Sequence, residues 1–322
     1  MKKLIAMLLA VMMLLSLAAC GGSDSSAADD GKYTIGICQL VTHDALDAAT
    51  QGFKDAVVAA LGEENVVFDE QNAAGDSNTC NSIANSFVAA NVDLIMANAT
   101  PALVAASTAT ADIPILGTSV TEYGVALGLT DFNGTVGGNV SGTSDLAPLD
   151  QQAAMVQEWF PDAKNVGLVY CSAEANSKYQ VDTVKALLEG MGYTCQLFAF
   201  ADSNDMAAVT EAACGFADVI YAPTDNAVAS GTDVIDGICR AAGVPIIAGE
   251  EGICATCGVA TLSISYYDLG YTTGKMAAKI LKGEADISTM PVGYAANFTP
   301  KYNAEICADL GLTPPEGYEA IG

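Results

Sequence analysis

From Tyr33 to Ala248 the chain alternates, in two successive series, between short β-branched runs and longer stretches with apolar residues at three and four spacing. This constrains the fold most, because parallel strands need crossovers of a dozen or more residues, and helices supply them. The first series places strands at Tyr33 to Cys38, Val66 to Asp69, Asp93 to Ala97 and Ile113 to Gly117. Helices are expected between them at Asp44 to Leu61, Asp76 to Ala90 and Ala102 to Ala111. The second series runs through Val166 to Cys171, Thr194 to Phe200, Asp218 to Ala222 and Pro245 to Ala248. Between the two, Asn139 to Leu149 (NVSGTSDLAPL) interrupts regular structure with Gly and Pro. The pattern predicts an α/β protein of two doubly wound parallel-sheet lobes.

A further strand-like run, Val259 to Ser263, then a helical stretch, Asp268 to Leu281, and the run Pro291 to Ala296 follow the second series. An extra strand and helix beyond a complete sheet imply that the chain returns to the first lobe. About three hinge strands would then join the lobes. The expected division is 32–141 plus 255–290 for lobe 1 and 142–254 plus 291–322 for lobe 2.

The first residues, MKKLIAMLLAVMMLLSLAAC, carry a basic start, an apolar run and small residues before Cys20. The run is shorter than the ~20 residues of a membrane span and reads as an export signal over 1–19. Its Leu17-Ala18-Ala19-Cys20 ending resembles the lipobox of bacterial lipoproteins, which implies lipidation of Cys20. The polar stretch at 20–31 reads as a flexible tether.

Charge narrows the partners. With 38 acidic against 12 basic side chains, the surface would repel a phosphate backbone, so no nucleic-acid partner is expected. Several of the ten cysteines sit in strand-like runs, Cys38, Cys171 and Cys195 among them, and read as small core residues. Cys254 and Cys257 are either a redox or metal half-site or two more core residues. His43 is the one histidine, and neither metal nor cofactor is expected.

Ligands of doubly wound sheets meet the loops at the carboxyl ends of the strands. In the first half those loops hold His43, Thr100, Ser119 and Thr121; in the second they hold Glu174, Asn176, Ser177, Thr224, Asp225, Asn226 and Glu250. Each of these is also explicable as a turn or helix-capping residue. Their recurrence at equivalent strand ends of both lobes points to one shared cleft.

These residues also carry a family resemblance. The segments His43-Asp44-Ala45-Leu46-Asp47, Ala99-Thr100-Pro101-Ala102, Gly138 to Asp145 (GNVSGTSD), Glu174-Ala175-Asn176-Ser177, Pro223-Thr224-Asp225-Asn226 and Gly249-Glu250-Glu251-Gly252 resemble substrate-binding lipoproteins of ABC importers. The branch is the one similar to tryptophan and tyrosine transport binding proteins, on the type I periplasmic-binding fold. Tyr266-Tyr267-Asp268-Leu269-Gly270 fits as well, whereas Thr121-Glu122-Tyr123 departs from the family's common Thr-Asp-Pro. The resemblance implies a lipid-anchored receptor on the extracytoplasmic side, without catalytic residues, that closes over a small solute and passes it to a permease with its ATPase. It adds Ser144 and Asp145 to the expected ligand contacts. For an amino acid, Asp225 is the expected partner of the ammonium, with Glu174 or Glu250 behind it; Thr100, Ser119 and Ser177 suit the carboxylate, and Leu46 or Tyr123 the side-chain wall. The competing readings are a signalling sensor on the same core, a DNA-binding repressor and a Ser-His-Asp enzyme. Only the signal and an acidic tether precede Tyr33, where a repressor would need a basic helix-turn-helix, and no Gly-x-Ser-x-Gly elbow is present.

Overall fold

A computed structural model describes residues 31–295 and 297–321. The expected signal, Cys20 and the tether as far as Asp30 lie outside the described residues. From Tyr33 onward the strands are β1 (Tyr33–Gln39), β2 (Val66–Asn72), β3 (Leu94–Asn98), β4 (Ile115–Val120), β5 (Val140–Ser144), β6 (Asn165–Cys171) and β7 (Thr194–Phe200). They continue with β8 (Val219–Ala222), β9 (Ile246–Ala248), β10 (Ala260–Ser263), β11 (Gly293–Tyr294), β12 (Thr299–Tyr302) and β13 (Glu319–Ala320). One sheet has the order β2-β1-β3-β4-β5-β11, the other β7-β6-β8-β9-β10-β12-β13. The ladders are parallel except β10 with β12. The two doubly wound lobes expected from the sequence are present.

The chain passes between the sheets three times, after β5, after β10 and between β11 and β12. The lobe boundaries differ from the expected ones. Residues 255–263 remain in lobe 2, because β10 pairs with β9 and β12, and Gly293–Tyr294 belongs to lobe 1, because β11 pairs with β5. A short buried run announces a strand but not which sheet will accept it.

β5 occupies the stretch read as a break. Ser141, Thr143 and Ser144 are buried yet polar, so no apolar run marks them. Thr118, Thr143 and Thr273 join their hydroxyls through contacts of 3.2 and 2.7 Å, which satisfies them inside the lobe. Gly142 has φ +145°, and a Cβ there would lie 2.0 Å from the Gly117 carbonyl oxygen, so β4 and β5 can approach only through glycine.

The helix Asp44–Leu61 packs against Tyr266–Leu281 on lobe 1. A Cβ added at Gly52, Gly270 or Gly274 would meet the carbonyl oxygens of Tyr267, Ala49 and Phe53 at 2.1, 1.9 and 2.4 Å. Ala49 and Phe53 face Gly270 and Gly274 in the same order, so the helices run parallel. Their N-termini, bearing His43 and Tyr266, consequently lie at the same end.

Candidate functional site

The ends of the parallel strands converge between the lobes on a small cavity of about 10 Å³, room for scarcely one water. His43, Leu46, Ser119 and Thr121 line it from lobe 1, and Asn176, Thr224, Asp225, Asn226 and Glu250 from lobe 2. Asp145 and Tyr266, on two of the crossings, complete the wall. His43 Nε2 and Asn226 Oδ1, 3.3 Å apart, bridge the lobes directly. A larger space of about 320 Å³ shares Asn226 with this cavity, and its walls also include Leu40, Val41, Pro101 and Met206.

The lobe 1 turns are held in unusual backbone conformations. Ala99 has φ 91° and ψ 158°, a region favoured by glycine, and Ser119 has φ 53°. Such geometry costs on the order of 1–3 kcal/mol and concentrates at functional sites. The buried hydroxyls of Thr100 and Ser119, on these turns, have no hydrogen-bond partner.

The acidic residues divide by what they bind. Asp225 Oδ2 accepts from Cys171 N at 2.6 Å and Oδ1 from Val228 N at 2.9 Å, so it caps the helix Asn226–Ser230 and ties it to β6. Glu250 accepts from Gly252 N and Ile253 N at 2.7 and 2.6 Å. Glu174 receives Asn226 N, Asn226 Nδ2, Asn176 Nδ2 and Ala227 N. Asp145 differs: Oδ2 accepts from the Tyr266 hydroxyl at 3.0 Å, while buried Oδ1 has no hydrogen-bond partner.

The remaining expected residues scatter. Ser177 is fully buried beside Asn176. Ser144 donates to the Thr121 carbonyl and accepts from Leu146 N, a bracing role for the first crossing. Tyr123 is in the lobe 1 core, its hydroxyl donating to the Thr143 carbonyl at 3.1 Å, so Leu46 alone of the two expected walls reaches the cavity. Tyr266 stands in a segment that fits the resemblance but is not among the expected contacts; a tyrosine beginning an amphipathic helix reads as core until its partner Asp145 is seen. Cys254 and Cys257 are buried, with thiols donating to the carbonyls of Gly258 and Ile253.

Because Asp225 uses both oxygens on backbone amides, Asp225→Asn must leave one amide N–H facing an NH₂ group. We expect the ligand-free variant to lose about 1–3 kcal/mol in denaturant unfolding. An unchanged midpoint and slope would show that neither bond contributes.

Burial holds four carboxyls above their ordinary range. Glu174 is pushed up to about 7 by desolvation and then by nearby Asp225, and Glu250 to about 7 by desolvation, against the pull of its two backbone amides. Asp145 and Asp225 are raised by the same desolvation, opposed in Asp145 by the Tyr266 and then the Thr121 hydroxyl and in Asp225 first by the Cys171 amide. The folded state therefore retains protons that the unfolded chain releases between the ordinary value of 4.5 and about 7. Unfolding free energy falls as pH rises through that window, by a few kcal/mol in order of magnitude. His43, lowered by burial, opposes this below its ordinary 6.5, but it is one group against four. Ligand-free protein should melt higher at pH 5.5 than at pH 7.5, and a melting temperature that rises with pH would contradict it.

Comparison with known proteins agrees with this geometry. The family model described as ABC transporter substrate binding protein matches residues 34–319. The chain is 36% identical over 302 residues to the tyrosine-binding protein of Clostridioides difficile (strain R20291), covering 90% of this chain and 87% of that protein. A Streptococcus pneumoniae ABC domain solved with L-Trp superposes with a TM-score of 0.85 at 32% identity, over 90% of this chain and 100% of that one. A ligand-free, open substrate-binding protein with adhesive properties from Clostridium difficile gives 0.68 at 38% identity, over 90% and 99%. The arrangement here is nearer to that of the L-Trp complex than to the open one.

Proposed function

The chain belongs to the ABC transporter substrate-binding protein family, and from that premise we propose that its cleft takes an aromatic amino acid, holding the ammonium on Asp145. Family members work on the extracytoplasmic side and deliver small molecules to a permease. The observation that carries the ligand reading is the unpartnered, buried Asp145 Oδ1 in a wall that also holds Asp225 and Glu250 and no lysine or arginine. A cationic group satisfies it, and charge-assisted bonds of this kind are the strong ones. Thr100 and Ser119 suit the carboxylate, beside the N-terminus of the helix Thr100–Ala109. The ring extends into the adjoining space walled by Leu40, Val41, Pro101 and Met206. About 10 Å³ cannot hold an amino acid, so entry requires the lobes to part at the three crossings. The names of the tyrosine-binding relative and the L-Trp complex support the aromatic class. No group in the cleft is assigned a catalytic role.

Thermal-shift screening against amino acids, sugars and purines tests this, since a ligand selective for the folded state raises its stability. The largest shifts should come from tryptophan, tyrosine or phenylalanine. A shift from a sugar, a purine or a branched amino acid with none from the aromatics would overturn the assignment.

We also propose that the exported chain is anchored through lipid on Cys20. Acyl burial contributes ~0.8 kcal/mol per methylene, so several chains make a lasting anchor. Among the described residues, no helix is long and apolar enough to cross a membrane. Cys20→Ala should abolish labelling by a fatty-acid probe and leave precursor or released protein. Continued labelling and membrane retention would refute the anchor.

A further inference from the structure

All nine cysteines among the described residues are free thiols, but two are neighbours across a helix pair. Cys214 ends the helix Met206–Cys214, Cys239 lies in Thr232–Ala242, and their sulfurs are 3.5 Å apart. We propose that Cys214 and Cys239 are a redox site, oxidised to a disulfide on the extracytoplasmic side, that staples the segment carrying the Asp225–Asn226 turn.

The other thiols are placed differently. Cys171, Cys254, Cys257 and Cys307 donate to carbonyl oxygens of Ala201, Gly258, Ile253 and Val259. Cys38 and Cys80 adjoin one another, but both are fully shielded, out of reach of an oxidant. Cys214 is partly exposed, whereas Cys239 is 2% exposed. One residue of the pair is thus partly open to solvent and the other is placed to resolve the product. Disulfides persist outside the cytoplasm, where this family works. A sulfur–sulfur bond is about 2.05 Å, so the two side chains must close by about 1.5 Å, a displacement that small side-chain rotations supply.

The oxidant is a low-molecular-weight or protein disulfide, RSSR. The Cys214 thiolate attacks one of its sulfurs and expels RS⁻, giving a mixed disulfide; the Cys239 thiolate then attacks the Cys214 sulfur and expels the second RS⁻. Two thiols are oxidised, one RSSR is reduced, and the two protons leave as two RSH. Burial pushes both thiols up, so the reaction should accelerate as pH rises. The bond closes a loop over 214–239, which contains β8, Asp225 and the helix Asn226–Ser230.

The test treats the purified chain with oxidised glutathione, alkylates remaining thiols under denaturing conditions and maps the unreduced digest by mass spectrometry. The expected result is a Cys214–Cys239 linked peptide pair, two fewer alkylated thiols per chain, and a melting temperature about 5–10 °C above the reduced protein. Cys214→Ser and Cys239→Ala should each remove both the cross-link and the reducible part of the melting shift. Complete alkylation of both cysteines after oxidation, accumulation of glutathione on Cys214 without resolution, or a link elsewhere that leaves this pair free would overturn the proposal. So would a melting shift that survives in the variants.

Discussion

Replacing Asp145 by Asn should lower affinity for the amino acid by about 2–4 kcal/mol, a loss on the order of 30- to 1,000-fold, while leaving the ligand-free protein as stable as before or more so. The two effects separate because asparagine still accepts the Tyr266 hydroxyl but removes a negative charge whose burial is unfavourable without a cation. In the bound state that charge is what holds the ammonium. Calorimetric titration of variant and parent, with melting of both ligand-free proteins, checks the pair of expectations. Affinity within threefold of the parent would remove Asp145 from the ammonium site.

Gly270→Ala should be among the most disruptive single-methyl additions. The added carbon would sit 1.9 Å from the Ala49 oxygen, with Ala49 C and Cα at 2.6 and 2.8 Å, all backbone atoms that no rotamer change can move. The helices must separate along their whole contact, at about 3 kcal/mol or more. Because both helices begin at the cleft, the separation also displaces His43 and Tyr266, so ligand binding should weaken together with stability. Urea unfolding reads the first effect and titration of surviving folded protein the second. A loss below about 1 kcal/mol would mean that the crossing is more compliant than its geometry implies.

Much of this architecture could be read from the chain because two periodicities alternate in it, and each implies a covered parallel sheet. What escaped reading follows from the same cause. β5 is made of Val140, Ser141, Gly142, Thr143 and Ser144, and its burial is satisfied by hydroxyl contacts and a close glycine approach, neither of which leaves a periodic apolar signature. The site was legible as a place, since nine of the thirteen expected contact residues line one cavity at the strand ends. The division of labour among its carboxylates was not. Asp225 and Asp145 are the same residue type in similar polar turns, and only the positions of the Cys171 and Val228 amides show that the first is occupied by the backbone. The Val228 amide, three positions on, is the capping partner that the sequence allows, but the Cys171 amide belongs to a strand 54 positions away. Tyr266 escaped for a related reason, its partner Asp145 being 121 positions away.

The account turns on a buried carboxylate that recognises an amino group, and the most direct measurement compares ligands differing in that group alone. Calorimetric titration at pH 7.5 would set whichever of L-tyrosine and L-tryptophan gives the larger thermal shift against its deaminated analogue, the arylpropionic acid with the same ring and carboxylate. The amino acid should bind at least about 100-fold more tightly, because the analogue leaves Asp145 without a cation and places two negative groups in one cleft. Comparable affinities for the two would contradict the account.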